Sequence, residues 1–389
     1  MSEDDVVVLD QERQVKARQY AGSRRRLAFV SLAVAAAYLS AWVVLGLGPI
    51  LKQSLALLSL NWTGGTAWWV ELLAVAGGLG LALGLLRLPL DFYAGFVLPH
   101  RMQLSTQTLA GWISDAAKGA VLAILLGCPL LVGLYAIMRL SPNAWWLWSA
   151  LGYSAVSVAL AALAPILLLP IFFKLRPLDD AHVALSDRLL ALGRRSETRV
   201  MGVFTFDMSR RTRAANAALV GLGRTRRVIL GDTLVSEFEP EEIETVLAHE
   251  LGHHVHRDIP LLILVQTGFN LLTFFLIAKG ALWAIPLLGL ASIADPGGLP
   301  ALALLAGVIS TAISPLANAF SRWREALADD YALQLTRDPR AFVSALKRLA
   351  NQNLAEADPP GWAVVLFATH PPLGRRIRKA EAFAGHMLD

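Results

Sequence analysis

His249-Glu250-Leu251-Gly252-His253 closes a segment that opens at Pro240 with Pro-Glu-Glu-Ile-Glu-Thr-Val-Leu-Ala. Proline suits the first position of a helix, and Glu241 and Glu242 suit its positive N-terminal end. Ile243, Val246 and Leu247 recur at helical spacing and supply an apolar stripe. The pattern predicts a helix over 240–257. Residues i and i+4 lie one turn apart on the same face, so the imidazoles of His249 and His253 can bind one zinc ion. Glu250 between them is placed to take a proton from an attacking water. The plainer reading is a helix with two buried histidines and no metal, which leaves a glutamate costly to hide. The chemistry favoured is zinc-assisted hydrolysis of a peptide bond.

Composition puts this helix beside a membrane. Of 389 residues, 55% are hydrophobic and 17% charged, against about 25% charged in soluble domains. The mean hydropathy of +0.52 agrees. A helix that crosses a bilayer needs about 20 apolar residues. Six segments qualify: 27–48, 67–86, 119–138, one within the uncharged run 140–173, 259–284 and 296–320. Pro165 and Pro170 mark the end of the fourth. The expected fold is a mainly α-helical, multi-pass membrane protein with an α+β zincin-like metalloprotease domain. Residues 1–173 form a four-span membrane part with a loop at 87–118. The metalloprotease domain is split into 174–258 and 321–389, with two spans, 259–320, inserted between the halves.

Loop charge sets the orientation, because Lys and Arg collect on the cytoplasmic side. Arg13, Lys16, Arg18, Arg24, Arg25 and Arg26 precede the first span, whereas the loops after spans one, three and five offer only Lys52, Arg139 and Lys279. Both termini and both halves of the polar domain are therefore expected in the cytoplasm, in the inner membrane of a bacterium. The pairs Trp68-Trp69 and Trp145-Trp146 fall at the opposite interface. The polar N-terminal stretch does not read as a cleaved signal peptide. The net charge is +5. Its clusters, Arg24 to Arg26 and Arg210, Arg211 and Arg213, lack interleaved aromatics, which argues against nucleic acid as a partner. The single cysteine, Cys128, excludes an internal disulfide and a cysteine-based zinc site. No feature of the sequence bears on oligomeric state.

A catalytic zinc needs a third protein ligand and an open position. Glu325 is the candidate, in Glu325-Ala326-Leu327-Ala328-Asp329 after the sixth span. Asp329, one turn on, can accept a hydrogen bond from a ligand imidazole and fix its tautomer. The alternative for both is a solvated acidic helix face. Strands are expected at 200–206, 215–220 and 227–230, with a turn at Gly221-Leu222-Gly223. A sheet edge beside the zinc helix can dock an extended peptide as an added strand. Asn216 on that edge can bind the substrate backbone or the oxyanion, or serve as a turn or cap. His370, fixed before Pro371 and Pro372, can donate to a tetrahedral intermediate. Arg376 can anchor a substrate carboxylate or a phosphate-like group. Spacing alone leaves plain structural roles open for His370 and Arg376.

These residues resemble the type I CAAX prenyl endoproteases, integral-membrane zinc metalloproteases of the gluzincin kind. The resemblance rests on Asn216-Ala217, the run from Val228 to Leu234, His249 to His253, Ser321-Arg322 with Glu325 and Ala328-Asp329, and His370 to Leu373 with Arg376. Gln107-Thr108-Leu109 with Asp115 and Lys118 resembles that family's cytoplasmic loop. The resemblance implies His249, His253 and Glu325 as zinc ligands and Glu250 as general base. It implies Asn216 and His370 as stabilisers of the intermediate, and Arg376 as a support near the substrate. It also implies a helical barrel around a water-filled chamber, and a peptide or protein substrate that is cut after a prenylated cysteine. Seven spans are common in the family, against six counted here. Two other readings stand beside this one. The first is a quality-control endopeptidase acting on unprenylated membrane proteins. The second is a transporter or scaffold with a structural zinc, in which Gln266, Asn270 and Asn318 line a pathway.

Overall fold

The computed structural model describes residues 7–63, 67–221, 226–290 and 292–387. The membrane part begins with α1 (Gln11–Val44), α2 (Leu47–Thr63) and α3 (Trp68–Phe92), which runs through a π-helical turn (Tyr93–Val97) into α4 (Leu98–Arg101). Next come α5 (Leu109–Leu140) and α6 (Trp145–Leu163), then a second π-helical turn (Ala164–Leu168) and α7 (Leu169–Phe172). The polar block holds β1 (Leu175–Pro177), α8 (Val183–Arg195), β2 (Val203–Phe206), β3 (Ala217–Val220), β4 (Arg227–Gly231), α9 (Asp232–Glu237) and α10 (Pro240–Val255). Two long helices follow, α11 (Asp258–Leu287) and α12 (Leu299–Thr336). The chain ends with α13 (Pro339–Asn353), α14 (Gly361–Phe367) and α15 (Leu373–His386).

Six helices among the described residues are long and apolar enough to cross a membrane, the number expected from hydropathy. Their bounds differ from the apolar runs because helices do not stop at the bilayer. Asp10 caps α1 by accepting from the Arg13 N–H at 3.1 Å. At 1.5 Å per residue α1 is about 50 Å long, well beyond a hydrocarbon core of about 30 Å. Its first turns form a strut: Ala17 is buried with Leu104 and Leu354, and Arg13 Nη1 donates to the Asn351 carbonyl at 3.0 Å. The segment 87–118, expected as a loop, is helical except at 102–108. That short piece crosses to the polar domain, where Thr106 Oγ1 donates to the Ser209 carbonyl at 2.6 Å. The opposite end of the bundle is closed by α2, which hydropathy does not single out. Lys52 on α2 pairs with Asp295 at 2.7 Å.

Polar residues inside the bundle tie helices together. Gln266 donates to Asn270 at 3.0 Å, and Asn270 donates across to Ser154 of α6 at 2.9 Å. Asn318 donates to the Leu366 carbonyl at 2.8 Å. The bonds from Asn270 to Ser154 and from Asn318 to Leu366 are interhelical, and Gln266 steadies Asn270 within α11. Next to the first pair, an apolar cavity of about 510 Å³ lies between α6 and α11 and reaches β3 at Leu219 and Val220.

The sheet has the order β1-β2-β4-β3. β4 pairs parallel with β2 and antiparallel with β3, with Ala218 opposite Ile229. β4 returns beside β3 as expected; the turn expected at Gly221-Leu222-Gly223 lies partly outside the described residues. β1 is an additional strand, three residues long and paired antiparallel with β2. Being central, β4 buries Val228, Ile229 and Leu230, and β3 is left as an edge beside α10. Leu192, Leu230, Leu247, Leu333, Leu346 and Ile377 share one core, so helices from both sides of the α11–α12 pair pack on the sheet. Each such side chain contributes about 1.5–3 kcal/mol through burial.

Candidate active site

The helix carrying the histidine pair is set by local chemistry. Pro240 opens α10, and the Glu242 carboxylate accepts from the Glu239 N–H at 2.9 Å, satisfying an end donor. Ile243 and Leu247 point into the core, 1% exposed each, and His249 and His253 lie round the helix from them, facing Glu325. Gly252 lets α10 lie directly on α12: a Cβ there would sit 3.0 Å from the Ala328 Cα. Ala328 lies between Glu325 and Asp329 in sequence, so this contact brings both carboxylates to the histidines.

His249 Nε2 lies 3.1 Å from Glu325 Oε2, and His253 Nε2 lies 3.5 Å from Glu325 Oε1. Donor atoms held about 2.0–2.1 Å from one tetrahedral centre stand ~3.3 Å apart, so these spacings suit a zinc ion. The outer nitrogens agree. His249 Nδ1 faces Asp329 Oδ1 at 2.9 Å, and His253 Nδ1 faces Asp258 Oδ2 at 2.7 Å. Neutral rings with the proton on each Nδ1 would turn both Nε2 lone pairs to a cation held at Glu325. Such a cluster repels itself unless a cation enters it. Burial works against a charged His249, yet Asp329 and Glu325 outweigh it and raise its pKa to about 9. The donor set therefore fits a divalent metal, and His249, His253 and Glu325 are the group of described residues able to hold one.

Glu250 stands beside this cluster. Burial raises its pKa, and neighbouring Glu325 adds to the rise against the lowering by His249 and His253. The nearby Leu219 backbone of β3 works in the lowering direction as well. His370 reaches the same place, with Nε2 3.2 Å from Glu325 Oε2 and Thr369 Oγ1 at 2.9 Å from its Nδ1. Burial lowers its pKa. Asn216 precedes β3 and is set by its neighbour: the Ala215 N–H donates to Asn353 Oδ1 at 2.8 Å, and Asn353 Nδ2 donates back to the Ala215 carbonyl at 3.1 Å. Asn216, His249, Glu250 and His370 line one cavity of about 460 Å³.

Arg376 departs from expectation. Its guanidinium fork is taken by Asp329, at 2.8 Å from Nε and 2.6 Å from Nη2, and so is not free to anchor a substrate carboxylate. Asp329 lies between Arg376 and His249, with Oδ1 2.9 Å from His249 Nδ1. Two further residues escape the sequence reading. Asp258 holds His253, and Arg324 Nε donates to Asp258 Oδ1 at 2.7 Å. No helical period points to Asp258. Arg257 takes a left-handed conformation (φ 53°) between α10 and α11, and that turn returns Asp258 to His253. Farther out, Asp115 of α5 receives Gln107 Nε2 at 2.7 Å and both Arg211 Nε, at 2.7 Å, and Nη2, at 2.9 Å. This joins the 102–108 connection to the polar domain.

Comparison with known proteins leads to the same place. The family model described as "Peptidase family M48" matches residues 181–384, and that of "CAAX prenyl protease N-terminal, five membrane helices" matches 6–174. The second range contains five long helices, α1, α2, α3, α5 and α6, when the 17-residue α2 is counted. The chain is 30% identical over 311 residues to the uncharacterized metalloprotease YhfN of Bacillus subtilis, covering 78% of this chain and 71% of that protein. It is 27% identical over 320 residues to the CAAX prenyl protease 1 homolog of Oryza sativa, covering 79% and 73%. The crystal structure of S. mikatae Ste24p superposes with a TM-score of 0.84 at 23% identity, covering 98% of this chain and 91% of that one, and so shares the fold. A scaffold with a structural zinc is set aside by these matches and by a donor set of three rather than four among the described residues. Taken with the helices long enough to span a bilayer, the matches show that the chain belongs to peptidase family M48, as a multi-pass membrane metalloprotease of the CAAX prenyl protease kind.

Proposed function

We propose that the chain is a zinc endopeptidase in which His249, His253 and Glu325 hold the metal and Glu250 is the general base. The observation that carries this reading is the convergence of both Nε2 atoms on the Glu325 carboxylate, with Glu250 alongside. A bound zinc ion supplies Lewis acidity and lowers the pKa of water in its open position towards about 7. Glu250 takes the proton of the attacking water and passes it to the leaving amine; its raised pKa suits both transfers. Asn216 and His370 donate to the carbonyl oxygen as it gains charge. The substrate lies extended along the edge strand β3, with its scissile bond at Glu250. Arg376 acts through Asp329 on His249.

Residues 174–258 and 321–389 make up one catalytic domain, carried by the membrane parts 1–173 and 259–320. The excess of Lys and Arg at that end supports a cytoplasmic active site, in the inner membrane of a bacterium. The preferred substrate is a prenylated C-terminal CAAX segment, from which residues after the modified cysteine are removed. Support comes from the name of the rice relative and from the apolar cavity beside β3, which suits a hydrocarbon chain. Purified protein in detergent is given a farnesylated CAAX peptide and its unmodified counterpart, with Glu250→Gln and a chelator as controls. Metal-dependent cleavage confined to the farnesylated peptide supports the reading. Equal cleavage of both moves the substrate to unprenylated membrane proteins, the quality-control alternative.

A further inference from the structure

Asp258 is the first residue of α11 and only 2% exposed. A carboxylate this deep is costly unless paired. Its two oxygens have different partners: Oδ2 meets His253 Nδ1 at 2.7 Å, and Oδ1 accepts from Arg324 Nε at 2.7 Å and from Arg324 Nη2. Arg324 is buried as well, 7% exposed, and its Nη2 also donates to the His256 carbonyl at 3.2 Å. Its charge lies 5.0 Å from the Trp323 ring centroid. Every partner of this pair is thus an element at the junction of α10, α11 and α12.

The arrangement repeats, on the second histidine, what Arg376 and Asp329 do on the first. In each case an arginine holds a buried carboxylate that also faces an imidazole Nδ1, through a separate oxygen in Asp258 and through the shared Oδ1 in Asp329. The parts come from different places in the chain. Asp329 and Arg376 come from α12 and α15, whereas Asp258 is the first residue of α11 and Arg324 lies within α12. Arg324 also directly precedes Glu325, so one turn of α12 carries both a candidate ligand and the arginine that steadies the partner of another.

We propose that Asp258 and Arg324 are a positioning pair that holds His253 in its metal-binding tautomer and orientation. This rests on the reading that His253 is a metal ligand. A carboxylate that accepts from Nδ1–H leaves Nε2 as the lone-pair donor and makes it more basic. Arg324 holds Asp258 in place through Oδ1. His253 is thereby oriented from where α11 and α12 leave the apolar bundle, independently of the support given to His249.

The test measures binding of Zn²⁺ alone, by competition with a chromophoric chelator, and the visible spectrum of the Co²⁺-loaded protein. Asp258→Asn keeps size and an acceptor but removes the charge. It is expected to weaken zinc binding about 10–100-fold and to shift the cobalt bands. Arg324→Gln is expected to do the same, and the double variant to lose less than the two single losses combined, as for residues in one network. Should Asp258→Asn fail to fold, Arg324→Lys, which keeps the charge and loses the fork, is expected to give a smaller weakening. His249→Ala separates the two levels of the argument. If it binds zinc normally, the ligand reading itself is wrong. If it loses zinc while Asp258→Asn and Arg324→Lys bind with native affinity and spectrum, the positioning pair alone is overturned.

Discussion

Arg376 spends its guanidinium on Asp329, at 2.8 and 2.6 Å, and Asp329 in turn faces His249 Nδ1 at 2.9 Å. An arginine from the last helix therefore reaches the candidate metal centre through one carboxylate. Asp329 is 2% exposed, so removing its partner leaves a buried charge, at a cost of about 3–5 kcal/mol. Arg376→Met is expected to lower the thermal midpoint by several degrees and to weaken metal binding. Thermal unfolding in detergent with and without added zinc checks this. A variant that raises KM alone, with stability and metal affinity unchanged, would place Arg376 on the substrate instead.

Gly252 sets the distance between α10 and α12. A Cβ there meets the Ala328 Cα at 3.0 Å and its carbonyl oxygen at 3.1 Å, and backbone cannot move aside as a flexible side chain can. Gly252→Ala is expected to push the histidines away from Glu325, with a loss of stability of about 1–3 kcal/mol and weaker zinc binding. Gly252→Val should abolish metal binding. Native zinc affinity in Gly252→Val would show that the helices have room to spare.

Asn216 and His370 approach one cavity from distant segments of the chain. If both stabilise charge on the carbonyl oxygen, Asn216→Ala and His370→Ala should each reduce kcat by about 10²–10³ while leaving the zinc content intact. Asn353→Ala removes both hydrogen bonds to Ala215 and is expected to lower kcat less, by misplacing Asn216. Steady-state kinetics with metal analysis on the same samples checks all three. A loss of zinc in His370→Ala would move that histidine into the metal-binding set.

Much of this was legible in the sequence because it follows short-range rules. The spacing of His249 and His253 demands a helix, and six long apolar runs demand membrane helices. Glu325 and Asp329 share one helical face. What escaped has a physical reason in each case. The pairing of Asp258 with His253 depends on a single left-handed residue, Arg257, which neither composition nor period announces. β1 has only three residues, Leu175 to Pro177, and exists because β2 offers it an edge. α2 carries Lys52, Gln53, Ser54 and Asn61, so it lacks the apolar signal of its neighbours. The fork of Arg376 chose between a substrate and Asp329, a choice made by tertiary packing.

The central claim is that three side chains hold the metal while Glu250 moves the proton. Glu250→Gln and Glu325→Gln should be compared with the unaltered protein for zinc content and peptide cleavage in one experiment. The account predicts that Glu250→Gln keeps one zinc per chain and loses cleavage by at least about 10²-fold, and that Glu325→Gln loses the metal and the activity together. Zinc-dependent cleavage at the native rate by Glu250→Gln would contradict it.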